Sequence, residues 1–251
     1  MPKIVSVHSF RGGTGKSNTA ANISSLLAMS GRRVGVVDTD IHSPGIHVLF
    51  GLGETKVKHS LNDYLWGKCE IAEAAQDVTA TMGPNPRGKL FLIPSAIEPG
   101  EIARILREGY DVGLLNDGFY RLVKELKLDV LVIDTHPGLN EETLLSIAIS
   151  NVLVIIMRPD QQDYLGTAVT VEVARNLDIQ RMMLIVNKCP PEYDFGQVKA
   201  RVEKTYNCEV GAVLPYSGEL MRLASNGVFA VNYPEHSLTV LFQQICDKLM
   251  V

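Results

Sequence analysis

The chain is poor in cysteine and has no Cys-x-x-Cys pair. Its 4 cysteines, Cys69, Cys189, Cys208 and Cys246, are scattered along the sequence. That spacing argues against a zinc site or an iron–sulfur cluster held within one chain, and points to reduced thiols. Charge of one sign is also missing. Lys plus Arg number 24 against 28 Asp plus Glu, a formal net charge of −4. Such a balance gives no general attraction to nucleic acid or anionic lipid, although a local basic patch stays open. No apolar run approaches the length of a membrane span. Met1-Pro2-Lys3 leads straight into the first apolar segment, so no signal peptide is expected and the expected localisation is cytoplasmic. No repeat, low-complexity stretch or linker divides the 251 residues. One buried α/β domain over 1–251 is the expectation.

What is present is an alternation of apolar and amphipathic segments, which implies βαβ units. Strands are predicted at 3–9, 33–38, 89–93, 129–134, 151–157, 181–187 and 208–214. Several are apolar at nearly every position, such as Val130-Leu131-Val132-Ile133. Strands of that kind are covered on both faces, which calls for a mostly parallel, doubly wound sheet with helices on both sides. Helices are predicted at 17–29, 100–108, 112–127, 140–149, 162–177, 194–205, 217–226 and 237–249. The stretch 41–88 is less regular, with short helices near 44–50 and 59–66 and a loop over 82–88.

The most informative segment joins the first strand to the first helix: Phe10-Arg11-Gly12-Gly13-Thr14-Gly15-Lys16-Ser17, continued by Asn18. Glycines let successive backbone N–H groups converge on an anion, and the following helix adds its positive end. Strand, glycine loop, Lys-Ser and helix together read as a phosphate-binding loop. Lys16 would reach the β- and γ-phosphates of a nucleotide, and the Ser17 hydroxyl would hold Mg2+. The common Walker A pattern has Gly where this chain has Phe10.

Two strand ends carry acids. The second ends in Asp38-Thr39-Asp40, and the fourth in Asp134-Thr135-His136-Pro137-Gly138. Asp134 suits a Walker B role, ordering Mg2+. Asp40, just past its strand, suits a carboxylate that orients an attacking water and lies near the metal. Asp38 reads as structural. Gly138 can offer its N–H to a γ-phosphate and act as a pivot. His136 is assigned no catalytic role. Asn187, at the end of the sixth strand, and the segment from Pro215 form a fainter adenine-binding pair.

These residues together resemble the MinD/ParA family of deviant Walker A ATPases, over most of the chain. Arg11-Gly12-Gly13-Thr14-Gly15-Lys16-Ser17 is similar to the family's Lys-Gly-Gly-x-Gly-Lys-Thr/Ser loop, and Asp38-Thr39-Asp40 to its switch I. The resemblance implies Mg-ATP as ligand, a nucleotide-sandwich homodimer, and slow hydrolysis with Asp40 as the hydrolytic aspartate. It also implies an activating partner or cargo adaptor, and a role in positioning cell-division proteins, DNA or protein cargo. Where the family has a lysine that crosses the dimer interface, this chain has Arg11. Arg11 then either grips the partner's phosphates through its planar fork or is an ordinary solvated charge.

Readings outside that cycle remain. A metal-cluster maturation ATPase wants paired cysteines at a dimer face. A phosphotransferase to its own tyrosines wants a Tyr-rich tail. A binder that no longer hydrolyses would not need Lys16, Ser17, Asp40 and Asp134 together. Residues 238, 241, 242, 245 and 249 form one apolar helical face with Lys248 as the lone basic residue, so core packing is expected there rather than membrane docking. Lys199, Arg201 and Lys204, and Arg121, Lys124 and Lys127, offer basic patches for nonspecific DNA. Both patches are interrupted by acids and read first as solvated helix faces. The segment from Arg158 to Tyr164 would line a dimer or partner surface.

Overall fold

The computed structural model describes residues 2–53 and 57–251. An eight-stranded sheet runs in the order β3-β4-β2-β5-β1-β6-β7-β8. The strands are β1 (Lys3–His8), β2 (Arg33–Asp38), β3 (Gln76–Asp77), β4 (Lys89–Ile93), β5 (Val130–Asp134), β6 (Val152–Met157), β7 (Met182–Cys189) and β8 (Glu209–Pro215). All neighbours pair in parallel except the short edge strand β3, which runs antiparallel to β4. The two-residue β3 gives too little pattern to be read from sequence.

The apolar runs bury both faces with the strand period of two. Val5, Val7, Val34, Val36, Val130, Val132, Val152 and Val154 point to one face. There they meet α1 (Lys16–Met29), α10 (Phe229–Asn232) and α11 (Ser237–Leu249). The intervening Val37, Leu131 and Ile133 face α3 (Leu61–Leu65) and α5 (Val112–Glu125) on the other side. Leu153, Ile155, Leu184 and Val186 face α7 (Gln161–Asn176) and α8 (Phe195–Tyr206). Ala20, Ala21 and Ala28, small and fully buried, let α1 lie close beneath the sheet. The remaining helices are α2 (Ile46–Leu49), α4 (Pro99–Glu108), α6 (Glu141–Ala148) and α9 (Gly218–Leu223).

Helix α9 stops earlier than its periodicity predicts. Ala224 and Ser225 take left-handed backbone, at φ 48° and 63°, and the helix cannot continue through them. The tail behaves as its apolar stripe suggests. Leu238, Phe242, Ile245 and Leu249 are buried, and α11 packs on α1 and β8. No helix among the described residues is long and apolar enough to cross a membrane.

Sheet order positions the site. β1 lies between β5 and β6, and the chain builds outward in opposite directions from it, the crevice where such sheets bind ligands at their carboxyl ends. Register puts Val7 of β1 beside Asp134 of β5, and Asp134 beside Asp38 of β2. Phe242, 2 % exposed, anchors α11, whereas Val240 is 50 % exposed. Phe242→Ala should therefore lower the unfolding free energy by about 3–5 kcal/mol in urea titrations, and Val240→Ser should stay within about 0.5 kcal/mol.

Candidate functional site

The loop from β1 to α1 turns through Gly13 and Gly15, at φ 75° and 100°. Gly15 is the N-cap of α1, so Lys16 already belongs to the helix. A Cβ on Gly15 would lie 2.4 Å from the Asn187 amide nitrogen, so both backbone and space demand glycine there. A cavity of about 250 Å3 opens over the loop. It is lined by Gly12, Gly13, Thr14, Gly15, Lys16, Ser17 and Asn18, with Asp40, Ser43 and Pro137 opposite.

Lys16 and Asp134 form the floor. The Lys16 ammonium lies 3.9 Å from an Asp134 carboxylate oxygen, and both side chains are buried. Neither Asp134 oxygen has a close hydrogen-bond partner, although the Ser17 hydroxyl acts on the carboxyl and favours its charged form. Burial pushes the Asp134 carboxyl above the usual carboxylate range, and the Lys16 charge opposes the shift. Asp38 is likewise raised, by burial first and then by the Asp134 charge. An ammonium beside one buried carboxylate, with a second buried carboxylate next to it, is a donor set that suits a divalent cation together with an anion.

Asp38 also shapes the turn that follows it. Its carboxylate accepts the N–H of Asp40 at 3.0 Å and of Gly45 at 3.3 Å. That turn points Asp40 into the cavity, where one of its oxygens accepts the Ser43 hydroxyl at 3.0 Å. His136, given no role from sequence, has Nε2 3.7 Å from Asp40. Its Nδ1 lies 2.7 Å from the Pro137 carbonyl and its ring meets His42 edge-on. Nothing in local sequence signals this, because β2 and β5 bring the two loops together. A second unforeseen residue is Glu142 in the first turn of α6. It accepts from the Tyr110 hydroxyl and from Asn140. Burial and the Asp40 charge raise it to about 7.

The loop's remaining features are held from outside. Gly138 donates its N–H to the Ser9 carbonyl at 3.1 Å, so contact with a phosphate would require that bond to open. Phe10 lies out of the loop against Gly166 of α7, where a Cβ would come within 2.1 Å of the ring. Arg11 folds back onto the start of α7. It donates to Gln162, lies 3.4 Å from Asp163 and 3.7 Å from Asp160. Arg11 is therefore an engaged charge rather than a free one.

Beyond Gly15 and Asn18 a second cavity, of about 260 Å3, continues to Asn187, Lys188, Met221 and Ser225. Its outer wall comes from α9 and the residues just after it, so the wall lies later in the chain than Pro215. Pro215 pairs with Cys189 at the end of β8 and lines neither cavity. A larger cavity of about 410 Å3, lined by His47, Ser60 and Ser95, contains no phosphate-loop residue, and we do not assign the chemistry to it. On the basic helix faces Lys199 pairs with Glu203, Arg121 with Glu70 and Glu125, and Arg201 lies over the Tyr164 ring.

A parallel sheet with a glycine loop at the end of its central strand, running into Gly-Lys-Ser at a helix start, defines a P-loop NTPase. Comparison with known proteins places it further. The family described as "ParA: NUBPL iron-transfer P-loop NTPase" matches residues 1–250, and the chain belongs to it. An uncharacterized ATP-binding protein of Methanocaldococcus jannaschii is 26% identical over 247 residues, covering 98% of this chain and 87% of that protein. An iron–sulfur cluster carrier protein of Pseudomonas fragi is 26% identical over 257 residues, covering 96% and 83%. Among solved structures, the septum site-determining protein MinD complexed with Mg-ADP from Pyrococcus horikoshii OT3 superposes with a TM-score of 0.79. It is 22% identical, with 99% of this chain and 96% of that one covered, and shows the shared fold.

Glu142 yields a test of the site's electrostatics. Its carboxyl is raised from an ordinary 4.5 to about 7. Between those values the folded state keeps a proton that the unfolded chain has lost, so stability from this group declines as pH rises through the window. Glu142→Gln should remove that part of the decline in urea midpoints measured across the window. An unchanged slope would show that Glu142 titrates normally.

Proposed function

We propose that this chain is an Mg-ATP-dependent switch, with 1–251 acting as one nucleotide-binding domain. ATP draws two copies together, slow hydrolysis releases them, and an activating partner or cargo adaptor reads the cycle to position or partition cargo. The observation that carries this reading is the buried Lys16–Asp134 pair beneath the glycine loop, 3.9 Å apart.

Lys16 and the N–H groups of Gly12, Gly13, Thr14, Gly15 and Asn18 would bind the phosphates. Ser17, Asp134 and Asp40 would hold Mg2+, directly or through water. When bound, that ion supplies neutralising charge at the β- and γ-phosphates. Asp40 orients the attacking water, and His136 steadies it from 3.7 Å. Gly138 gives up Ser9 to contact the γ-phosphate. Arg11 exchanges Asp160 and Asp163 for the phosphates of a second copy, where its planar fork suits phosphate oxygens. The cavity past Gly15 takes the base, with Asn187 on its inner wall and the Pro215 segment leading into α9.

Cluster carriage, the role named for the Pseudomonas fragi relative, draws less support from the donor set. Cys189 and Cys246 are buried, and Cys69 and Cys208 are partly exposed in separate connecting segments. Among the described residues no group of three or more His, Cys, Asp or Glu is placed to hold a metal. Nonspecific DNA binding is weakened as a reading because Lys199 and Arg121 are already paired with acids.

Light scattering tests the switch. Asp40→Ala protein should double its mass with Mg-ATP and remain single with Mg-ADP. Adding Arg11→Ala should abolish the doubling. Equal mass in both nucleotides would overturn the ATP-gated dimer.

A further inference from the structure

The end of β7 grips the phosphate loop from behind. The Asn187 amide donates to the Thr14 carbonyl at 2.8 Å, and the Lys188 ammonium donates to the Gly13 carbonyl at 2.8 Å. These are consecutive carbonyls of the loop. In a trans peptide the C=O of one residue and the N–H of the next point in opposite directions. Holding the carbonyls of Gly13 and Thr14 outward therefore turns the N–H groups of Thr14 and Gly15 inward, toward the side an anion would occupy.

The grip is built rather than incidental. Strand pairing between β7 and β8 shifts register between Val186 and Cys189, the point where the two side chains emerge. Lys188 takes left-handed backbone at φ 55°, a conformation a non-glycine residue adopts at a cost. Its own N–H donates to the Asn187 side-chain oxygen at 2.8 Å. That bond commits the oxygen, so the amide nitrogen faces the loop. Gly15 completes the fit, since any Cβ there would strike that nitrogen. One amide N–H and one oxygen lone pair of Asn187 are thereby committed to the loop and to Lys188.

The geometry points to Asn187 and Lys188 as positioning residues that preset the phosphate loop for a polyphosphate, acting through the carbonyls of Gly13 and Thr14 on the β-phosphate grip. This rests on the nucleotide reading proposed above. Both residues also border the cavity past Gly15, so the clamp links that cavity to the loop. A ligand seated there would press on the same side chains that hold the loop carbonyls.

Calorimetric titration of the full chain with Mg-ADP and with AMP tests the clamp, because AMP lacks the β-phosphate. Lys188→Met should weaken Mg-ADP binding by about tenfold, the size of one charge-assisted hydrogen bond, and weaken AMP binding clearly less. Lys188→Arg should restore most of the Mg-ADP affinity. Lys188→Gly relieves the left-handed strain, so it should keep or raise the melting temperature while losing Mg-ADP affinity as Lys188→Met does. That variant separates loop positioning from a folding defect. Equal losses for AMP and Mg-ADP, or no loss for either, would overturn the proposal. Wild-type protein that binds no Mg-ADP would overturn the nucleotide reading and the clamp with it.

Discussion

The site is organised around an unbalanced buried charge. Parallel pairing of β2 with β5 forces Asp38 and Asp134 side by side at the carboxyl edge of the sheet, and the Lys16 ammonium lies 3.9 Å from Asp134. Taking a carboxylate out of water is costly unless it is paired and hydrogen-bonded, and Asp134 has an ion pair of 3.9 Å and no close hydrogen bond. A bound cation with its phosphate ligand would supply what the fold leaves out. Stability given up in the free protein is then available to ligand binding, a common arrangement in functional sites.

Around that floor, the loop is held by contacts on its outer side. Ser9 takes the N–H of Gly138, Asn187 and Lys188 take the carbonyls of Thr14 and Gly13, and Phe10 rests on Gly166. The tethers come from three separate segments of the chain. The loop thus senses the segment after β5, the end of β7 and the start of α7 at once. Arg11 belongs to the same scheme, since its acidic partners cap and open α7, and Arg158 pairs with the same two acids. A ligand that changes the loop has direct mechanical routes to these three segments.

Much of this was readable in the chain. Apolar runs such as Val130-Leu131-Val132-Ile133 imply a sheet covered on both faces, and the alternating sides seen for those residues follow from strand geometry. The loop Arg11 to Ser17 announced itself because its chemistry is local: glycines, a lysine and a hydroxyl within one turn. The acids Asp40 and Asp134 were legible for the same reason, as polar ends of apolar strands. The short edge strand, the early stop of α9 and helix α10 were not, because each is too brief to carry a period.

By itself the sequence determined the layered α/β fold, the phosphate loop and the family they belong to, since those depend on residues adjacent in the chain or repeating at a fixed period. Only the tertiary structure decided who meets whom across the sheet edge. It set His136 against Asp40, Glu142 near the same acid, Lys188 on the Gly13 carbonyl and Arg11 on Asp160 and Asp163. The physical reason is strand order. Contacts between segments tens to hundreds of residues apart are fixed by which strands are neighbours, and no local pattern encodes that adjacency.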